Sequence, residues 1–465
     1  MAEAIRRLRN AFIEQHRPHL EVCKLLGLLP LCRTSALGGH LYRCGDCGYE
    51  QPRYNSCGNR HCPNCQVQAR EAWLAKQEAD LLELPYFHVV FTLPAELQPL
   101  ILQNKTLGYN LLFGCAADTL LKFGRDPKHQ LGGQLGFTAV LHTWNQTLGP
   151  HAHVHILIPA GALSNDKQSF TRALGKGKWL FPVEAVSPVF RAMYLKRLKV
   201  AHAKGQLAFH GQLEALQCPK AFAACLEPLY SKSWVVYVKR PFGGPEQVLE
   251  YLGRYTHRVG ISNARILEVT DEQVAFSYRD RKHDAGKKTM RLHGVEFLRR
   301  FFLHVLPKRF TRIRHYGFLG NAVRKANIPR IRKLIHQPIP EPVDETPIER
   351  IARVYDIDLN ACPNCRTGRM ENVGELVRVR CKRPSQKMIL HQTFSRLLRN
   401  AHSAHGRWGV RCTQKNGRNT PAKPHADVSV AGHSLRFTDK AKPKTEQHGL
   451  KTRYFPHSRL SPTRF

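Results

Sequence analysis

Acidic residues are scarce in this 465-residue chain: Asp and Glu number 35 against 72 Lys and Arg, leaving a formal charge of +37. Solubility alone does not require so large an imbalance, and it points to a polyanionic partner. Long apolar runs are missing as well. No stretch of roughly 18 or more apolar residues occurs, which argues against a membrane-spanning helix. The opening MAEAIRRLRNAFIEQHRPHL has no continuous apolar segment of the kind a signal peptide carries. The expected location is therefore cytoplasmic, in association with the nucleoid, with no membrane partner. In such a setting the 14 cysteines read as thiols and metal ligands before disulfides. The 42% hydrophobic content is enough for two or three domains with real cores.

Residues 40–65 read HLYRCGDCGYEQPRYNSCGNRHCPNC. Cys44 and Cys47 form one CxxC and Cys62 and Cys65 a second, the two-knuckle spacing of a tetrahedral structural zinc site. Each CxxC lets one tight turn aim two sulfurs at one ion, and Gly45, Gly48 and Pro63 supply the turn chemistry. Cys57, His61 and His40 remain as spare donors, able to replace one of the four or to help build a second site. Arg43, Arg53, Arg60 and Arg70 nearby suggest that the module touches DNA. A further pair, Cys362 and Cys365 in LNACPNCRTGRM, lacks an obvious matching CxxC. Cys381 and His391 are possible partners, and a lone CxxC turn is an equal reading.

The segment GPHAHVHILIPAGAL places His151, His153 and His155 at alternate positions. In a β-strand these share one face, while Val154, Ile156 and Ile158 fall on the other. That pattern suits a strand with one face in a core and one lining a cleft, and the histidine row is a metal-site candidate. LPYFHVVFTLP (84–94), QLGFTAVLHTWNQTL and SWVVYVKRPF (233–242) read as further strands. Helical periodicity over about 95–124 nominates Leu97, Leu100, Ile101, Leu107, Leu111, Leu112, Leu120 and Leu121 for the core. Another helix spans about 187–204. This order predicts an α+β fold, an antiparallel sheet with helices on one face.

Pro245 starts a helix in EQVLEYLGRYTHRVGIS, on which Tyr251 and Tyr255 share a face one turn apart. Such a pair is usually packing. Here Arg254, His257 and Arg258 crowd the same turn and would offer a tyrosine hydroxyl the cationic company a phosphodiester requires. The two constellations complement each other: a histidine-held ion polarises a phosphodiester, and a tyrosine attacks phosphorus to form a covalent link that can be resealed.

Histidine–hydrophobic–histidine (HUH) on a central strand with a downstream YxxxY helix resembles the signature of two-tyrosine rolling-circle transposases of the insertion sequence 91 family. The likeness extends through SCGNRHCPNC, HVVFTLPAEL, WNQTLGPHAHVHILIPAGALS, YLGRYTHRVGISNARI and FLRRFFLHVLPKRFTRIRHYGFLGN, over roughly residues 10–370. It implies a ferredoxin-like HUH palm with His153 and His155 as ligands of a catalytic Mg2+ or Mn2+ and His151 as an accessory. Tyr251 and Tyr255 would be the nucleophiles, forming a 5′-phosphotyrosine on single-stranded DNA and freeing a 3′ hydroxyl for host replication enzymes. Structural Zn2+ would occupy the cysteine module. A third protein ligand is not evident; Gln247, Glu250 and Gln146 are the options considered.

The run KRFTRIRHYGFLGNAVRKANIPRIRKL (308–334) mixes Arg312, Arg314 and other cations with Phe310, Tyr316 and Phe318, which could stack on unpaired bases. HQPIPEPVDETPIER reads as a linker. After Cys381 the chain holds 18 Lys and Arg against three acidic residues with little periodicity, a basic, poorly ordered tail. The expected organisation is a zinc-binding region over 1–80, a catalytic domain over 81–335, a linker with the CPNC segment over 336–380, and the tail over 381–465. Two other readings compete: a rolling-circle replication initiator or relaxase, and a non-enzymatic zinc-containing DNA-binding protein.

Overall fold

Alternating apolar and polar residues in the middle of the chain build the central sheet, and what precedes and follows it wraps the same unit. A computed structural model describes residues 1–378 apart from 130, 174–179, 243–244, 258, 281–285 and 341–344, and apart from the side chains of 239–242, 245–246, 254–255 and 347. The basic tail, with Cys381 and His391, lies outside the described residues.

The chain opens with helices α1 (Ala2–His16) and α2 (Leu20–Leu28), the hairpin β1 (Gly39–Cys44) and β2 (Glu50–Tyr54), and α3 (Gln66–Glu78). The central part contains β3 (Tyr86–Thr92), α4 (Gln98–Gln103), α5 (Lys105–Arg125), β4 (Gly136–Trp144) and β5 (Pro150–Pro159). It continues through β6 (Gly161–Leu163), β7 (Phe170–Arg172), α6 (Val183–Ala203), α7 (Pro219–Ser231), β8 (Val236–Phe242) and α8 (Pro245–Tyr255). Then come β9 (Ile266–Val269), β10 (Gln273–Arg279), β11 (Lys287–His293), α9 (Gly294–Leu303), β12 (Ile313–Gly317), α10 (Arg324–Leu334), α11 (Pro347–Tyr355) and β13 (Met370–Leu376).

The main sheet has the order β12-β4-β5-β3-β8 with every neighbouring pair antiparallel. The succession β3-α5-β4-β5-α6-β8 and its spatial order are those of a ferredoxin-like palm, with β12 as an extra edge strand. The predicted α+β class and antiparallel sheet are therefore present. Phe87, Val89, Phe91, Ala139, Leu141, Val154, Ile156 and Ile158 share one sheet face and are buried with Phe113, Ala116, Leu120, Phe190 and Leu198 of α5 and α6. Each large side chain so buried contributes about 1.5–3 kcal/mol relative to exposure. The other face of β5 is left for the histidines.

Residues 1–384 form one compact unit in which the N-terminal, central and later segments share packing. Ile5, Leu8 and Phe12 of α1 form one core with Val274 and Phe276 of β10 and Phe297, Phe301 and Phe302 of α9. Strand β13 pairs with β1 in a second sheet, order β13-β1-β2, so the segment expected to be a linker returns to the N-terminal region. Phe310 and Phe318, expected to offer stacking surface, are buried in apolar clusters instead. Their bulk is what β12 and its flanks insert into the core.

Candidate active site and cysteine clusters

Strand β5 is the middle strand of the sheet, and its register fixes what surrounds the histidines. His153 lies opposite His142 of β4 on one side and Thr92 of β3 on the other, while His155 is flanked by Val140 and Val90. A ring nitrogen from each of His142, His153 and His155 falls within 4.8 Å of the others, a grouping able to hold a metal ion. Nδ1 of His153 is 2.7 Å from the carbonyl oxygen of His151, so it donates there and leaves Nε2 as the coordinating nitrogen. His151 lines the same face but is outside the trio; burial lowers its pKa. Sequence reasoning missed His142. Its alternation with apolar neighbours in AVLHTW was visible, but its position opposite His153 comes from strand pairing.

Helix α8 covers this face. Val248, Tyr251 and Leu252 pack against Leu157, Tyr86, Leu74 and Leu81, which brings the Tyr251 ring over the strand ends. The Tyr251 hydroxyl is 3.0 Å from Nδ1 of His155 and hydrogen-bonds to Nε2 of His88 on β3. His88 and His155 stack with ring planes 4° apart, their facing nitrogens 3.0 Å from each other. The phenol thus contacts both members of a stacked imidazole pair, one of them belonging to the metal-capable trio. His88, within the quoted strand HVVFTLPAEL, carried no signal in sequence beyond facing the same side as Val90. Tyr255 lies one turn further along α8; its side chain and that of Arg254 are outside the described residues, as is all of Arg258.

The other expected DNA contacts have partners within the protein. His257 is half-buried beside Trp73, and burial, with Arg312 and Arg70 close by, pushes its pKa down to about 4. Burial thus favours its neutral form. Arg312 donates to Gln66 Oε1 of α3 at 3.0 Å, and burial lowers its pKa to about 10, leaving it charged. Arg314 donates to Asn110 Oδ1 of α5 at 2.6 Å and lies 4.2 Å over the Phe113 ring, on the sheet face away from the histidines. It braces the core.

The cysteines correct the single-site reading. Cys44 and Cys47 do not meet Cys62 and Cys65. Instead Cys62 and Cys65 group with Cys32 and Cys57, and Cys44 and Cys47 group with Cys362 and Cys365, each set within 4.8 Å. The reason is the β1–β2 hairpin, which carries the first CxxC away from the second and toward β13. Cys57, a spare donor in sequence, is a full member of the first set, and Cys32 was not anticipated. Of the other spare donors, His61 points elsewhere: burial, helped by Arg60 and Arg312, holds its pKa down to about 3. His40 faces Asn372 of β13. Both sets have the chemistry of structural zinc sites.

Comparison with known proteins agrees with these features. Residues 4–93 match a family model described as "Transposase zinc-binding domain", and residues 136–327 match one described as "Putative transposase". A Sinorhizobium fredii protein named "Putative transposase y4qJ" is 43% identical over 375 residues, covering 80% of this chain and 94% of that protein. The transposase for insertion sequence element IS801 of Pseudomonas savastanoi pv. phaseolicola is 29% identical over 339 residues, covering 72% of this chain and 79% of that protein. No solved structure matches the chain. With a zinc-binding region, a transposase region and a 43%-identical relative matched over 80% of its length, the chain belongs to the insertion sequence 91 family of transposases, DNA-cutting and joining enzymes.

Proposed function

We propose that the protein nicks single-stranded DNA at the ends of its element by tyrosine attack and then transfers the strand. The observation that carries this is the Tyr251 hydroxyl in contact with both His88 and His155, directly beside the His142–His153–His155 trio. Three imidazoles of restricted orientation fit a divalent ion, and their softness favours Mn2+ over Mg2+. When bound there, the ion would polarise the scissile phosphate as a Lewis acid.

The chain's own residues do the rest. His88 accepts the phenolic proton as the Tyr251 oxygen attacks phosphorus. The phosphorus–O3′ bond breaks, the departing oxygen takes a proton from water, and a 5′-phosphotyrosine remains with a free 3′ hydroxyl for host replication enzymes to extend. A later 3′ hydroxyl attacking the phosphotyrosine reseals DNA and returns the proton to the tyrosine. Tyr255, one helical turn away, is the second nucleophile, so that two strand ends are held in succession. Arg254, Arg258 and Arg312 are the cations that would engage the DNA.

The test is incubation with single-stranded element ends and Mn2+ or Mg2+, with covalent adducts read on a denaturing gel. Wild type should form an adduct that Tyr251→Phe reduces, and that the Tyr251→Phe/Tyr255→Phe and His153→Ala/His155→Ala variants lack. Tight, salt-sensitive DNA binding by the wild type without any adduct would reject nicking and leave a binding role.

A further inference from the structure

The CPNC turn, which the sequence left without a partner, occupies a specific place. Cys362 and Cys365 approach Cys44 and Cys47, more than 300 residues earlier, with Sγ–Sγ distances of 3.7 Å for Cys44–Cys365 and 3.7 Å for Cys47–Cys362. Four sulfurs at about 2.3 Å from a tetrahedral zinc lie about 3.8 Å apart. The agreement holds although neither pair is a disulfide, since a bonded pair would be near 2.05 Å.

The two turns are built alike. In each the residue after the second cysteine has a left-handed backbone, Gly48 at φ 69° and Arg366 at φ 64°. In each that residue's N–H donates to the carbonyl of the first cysteine, Gly48 to Cys44 at 3.1 Å and Arg366 to Cys362 at 2.9 Å. The sulfurs also receive donors: the Gly368 N–H lies 3.3 Å from Cys365 Sγ, and Asn364 Nδ2 lies 3.7 Å from Cys47 Sγ. Donors to sulfur are what a zinc-tetrathiolate of net charge −2 needs. Gly368 is required by close approach, because a Cβ there would sit 2.4 Å from Cys44 Sγ.

We infer that Cys44, Cys47, Cys362 and Cys365 bind a second structural zinc, distinct from the one held by Cys32, Cys57, Cys62 and Cys65, and that this ion clasps the C-terminal segment onto the N-terminal hairpin. Cys362 and Cys365 fall outside both matched family regions. The clasp has mechanical reach. It anchors β13 on β1, and between the palm and the clasp lies α11, whose Arg350 pairs with Glu71 and Glu78 of α3. Helix α3 in turn packs on α8, the helix that carries Tyr251. The inference rests on sulfur geometry and is independent of the nicking chemistry.

The test uses the full-length zinc-loaded protein. Zinc content should be two per chain, falling to one in Cys362→Ser/Cys365→Ser. To separate metal loss from local unfolding of that variant, iodoacetamide labelling of the wild type with peptide mapping gives the independent readout. Cys218 and Cys225, exposed and outside both sets, serve as unprotected controls. Cys47 is exposed too, so only metal ligation would shield it. The expected result is that Cys44, Cys47, Cys362 and Cys365 resist labelling together and become reactive together as a chelator removes the second zinc. One zinc per chain, or Cys47 and Cys365 labelling as fast as Cys218, overturns the inference.

Discussion

His88 is the residue whose role only three-dimensional structure exposes. It sits on β3, opposite Leu157, and touches the Tyr251 hydroxyl while stacking on His155 of the metal-capable trio. A general base in this position contributes about 10²–10⁴-fold to proton transfer. His88→Ala should therefore lower single-turnover nicking by about 10²-fold or more while leaving DNA affinity within a few-fold of wild type. Stopped or quenched time courses with excess protein, alongside equilibrium binding, would measure both. An unchanged nicking rate would remove His88 from the chemistry. The contrast with His153 and His155 explains what could be read beforehand. Their shared face follows from a two-residue period within one strand, a local property. His88 and His142 join them through strand register, which pairs residues far apart in sequence. Tyr251 was legible from its spacing and its cationic neighbours Arg254, His257 and Arg258, of which burial favours the neutral form of His257.

At the level of elements, helices and strands carry their signature in periodicity, and the strands β3, β4, β5 and β8 and helices α5, α6 and α8 fall where it places them. What periodicity does not reveal is which element lies on which. The pairing of β1 with β13, and hence the separation of two CxxC motifs into different clusters, depends on contacts across more than 300 residues. Two such junctions make predictions. Arg350 of α11 is buried against Glu71 and Glu78 of α3. Without Arg350, Glu71 keeps its pair with Arg70 at 2.7 Å and Glu78 is 43% exposed, so the cost is that of the lost charged hydrogen bonds, about 1.5–3 kcal/mol. Arg350→Met should lower the midpoint of chemical denaturation accordingly, and a loss under 1 kcal/mol would show the junction to be solvated.

His304, at the end of α9, donates from Nε2 to the Leu148 carbonyl at 2.9 Å and accepts at Nδ1 from the Thr143 hydroxyl at 3.2 Å, tying α9 to the β4–β5 hairpin. Burial, opposed by the Leu148 hydrogen bond, lowers its pKa from 6.5 to about 4. The folded form binds the proton less readily than the unfolded form. This contribution to stability is therefore present above pH 6.5 and lost as pH falls toward 4, amounting to about 3 kcal/mol in full. His304→Gln should be less stable than wild type at pH 7.5, with a smaller further loss between pH 6.5 and 4.5. Parallel denaturation curves at several pH values provide the check, and an equal pH dependence in both proteins would refute it.

For the whole molecule the governing quantity is charge. Residues 385–465 hold 16 Lys and Arg against three acidic residues, so they supply +13 of the +37, and residues 1–384 keep +24. Residues 1–384 form a compact unit by themselves and contain the histidine trio, Tyr251 and both cysteine clusters. Each phosphate neutralised on single-stranded DNA adds about −0.7 to the slope of log affinity against log salt. If the basic tail engages phosphates, a chain ending at Pro384 should show a slope shallower by several such increments and weaker binding at low salt. Its zinc content and its adduct formation at saturating DNA should match those of the full chain, because every group argued to perform those roles is retained. Titrations of one oligonucleotide across a range of salt concentrations, with both proteins, give the two slopes directly. Identical slopes would place all phosphate contacts within residues 1–384, and the tail's charge would then have no part in holding the DNA.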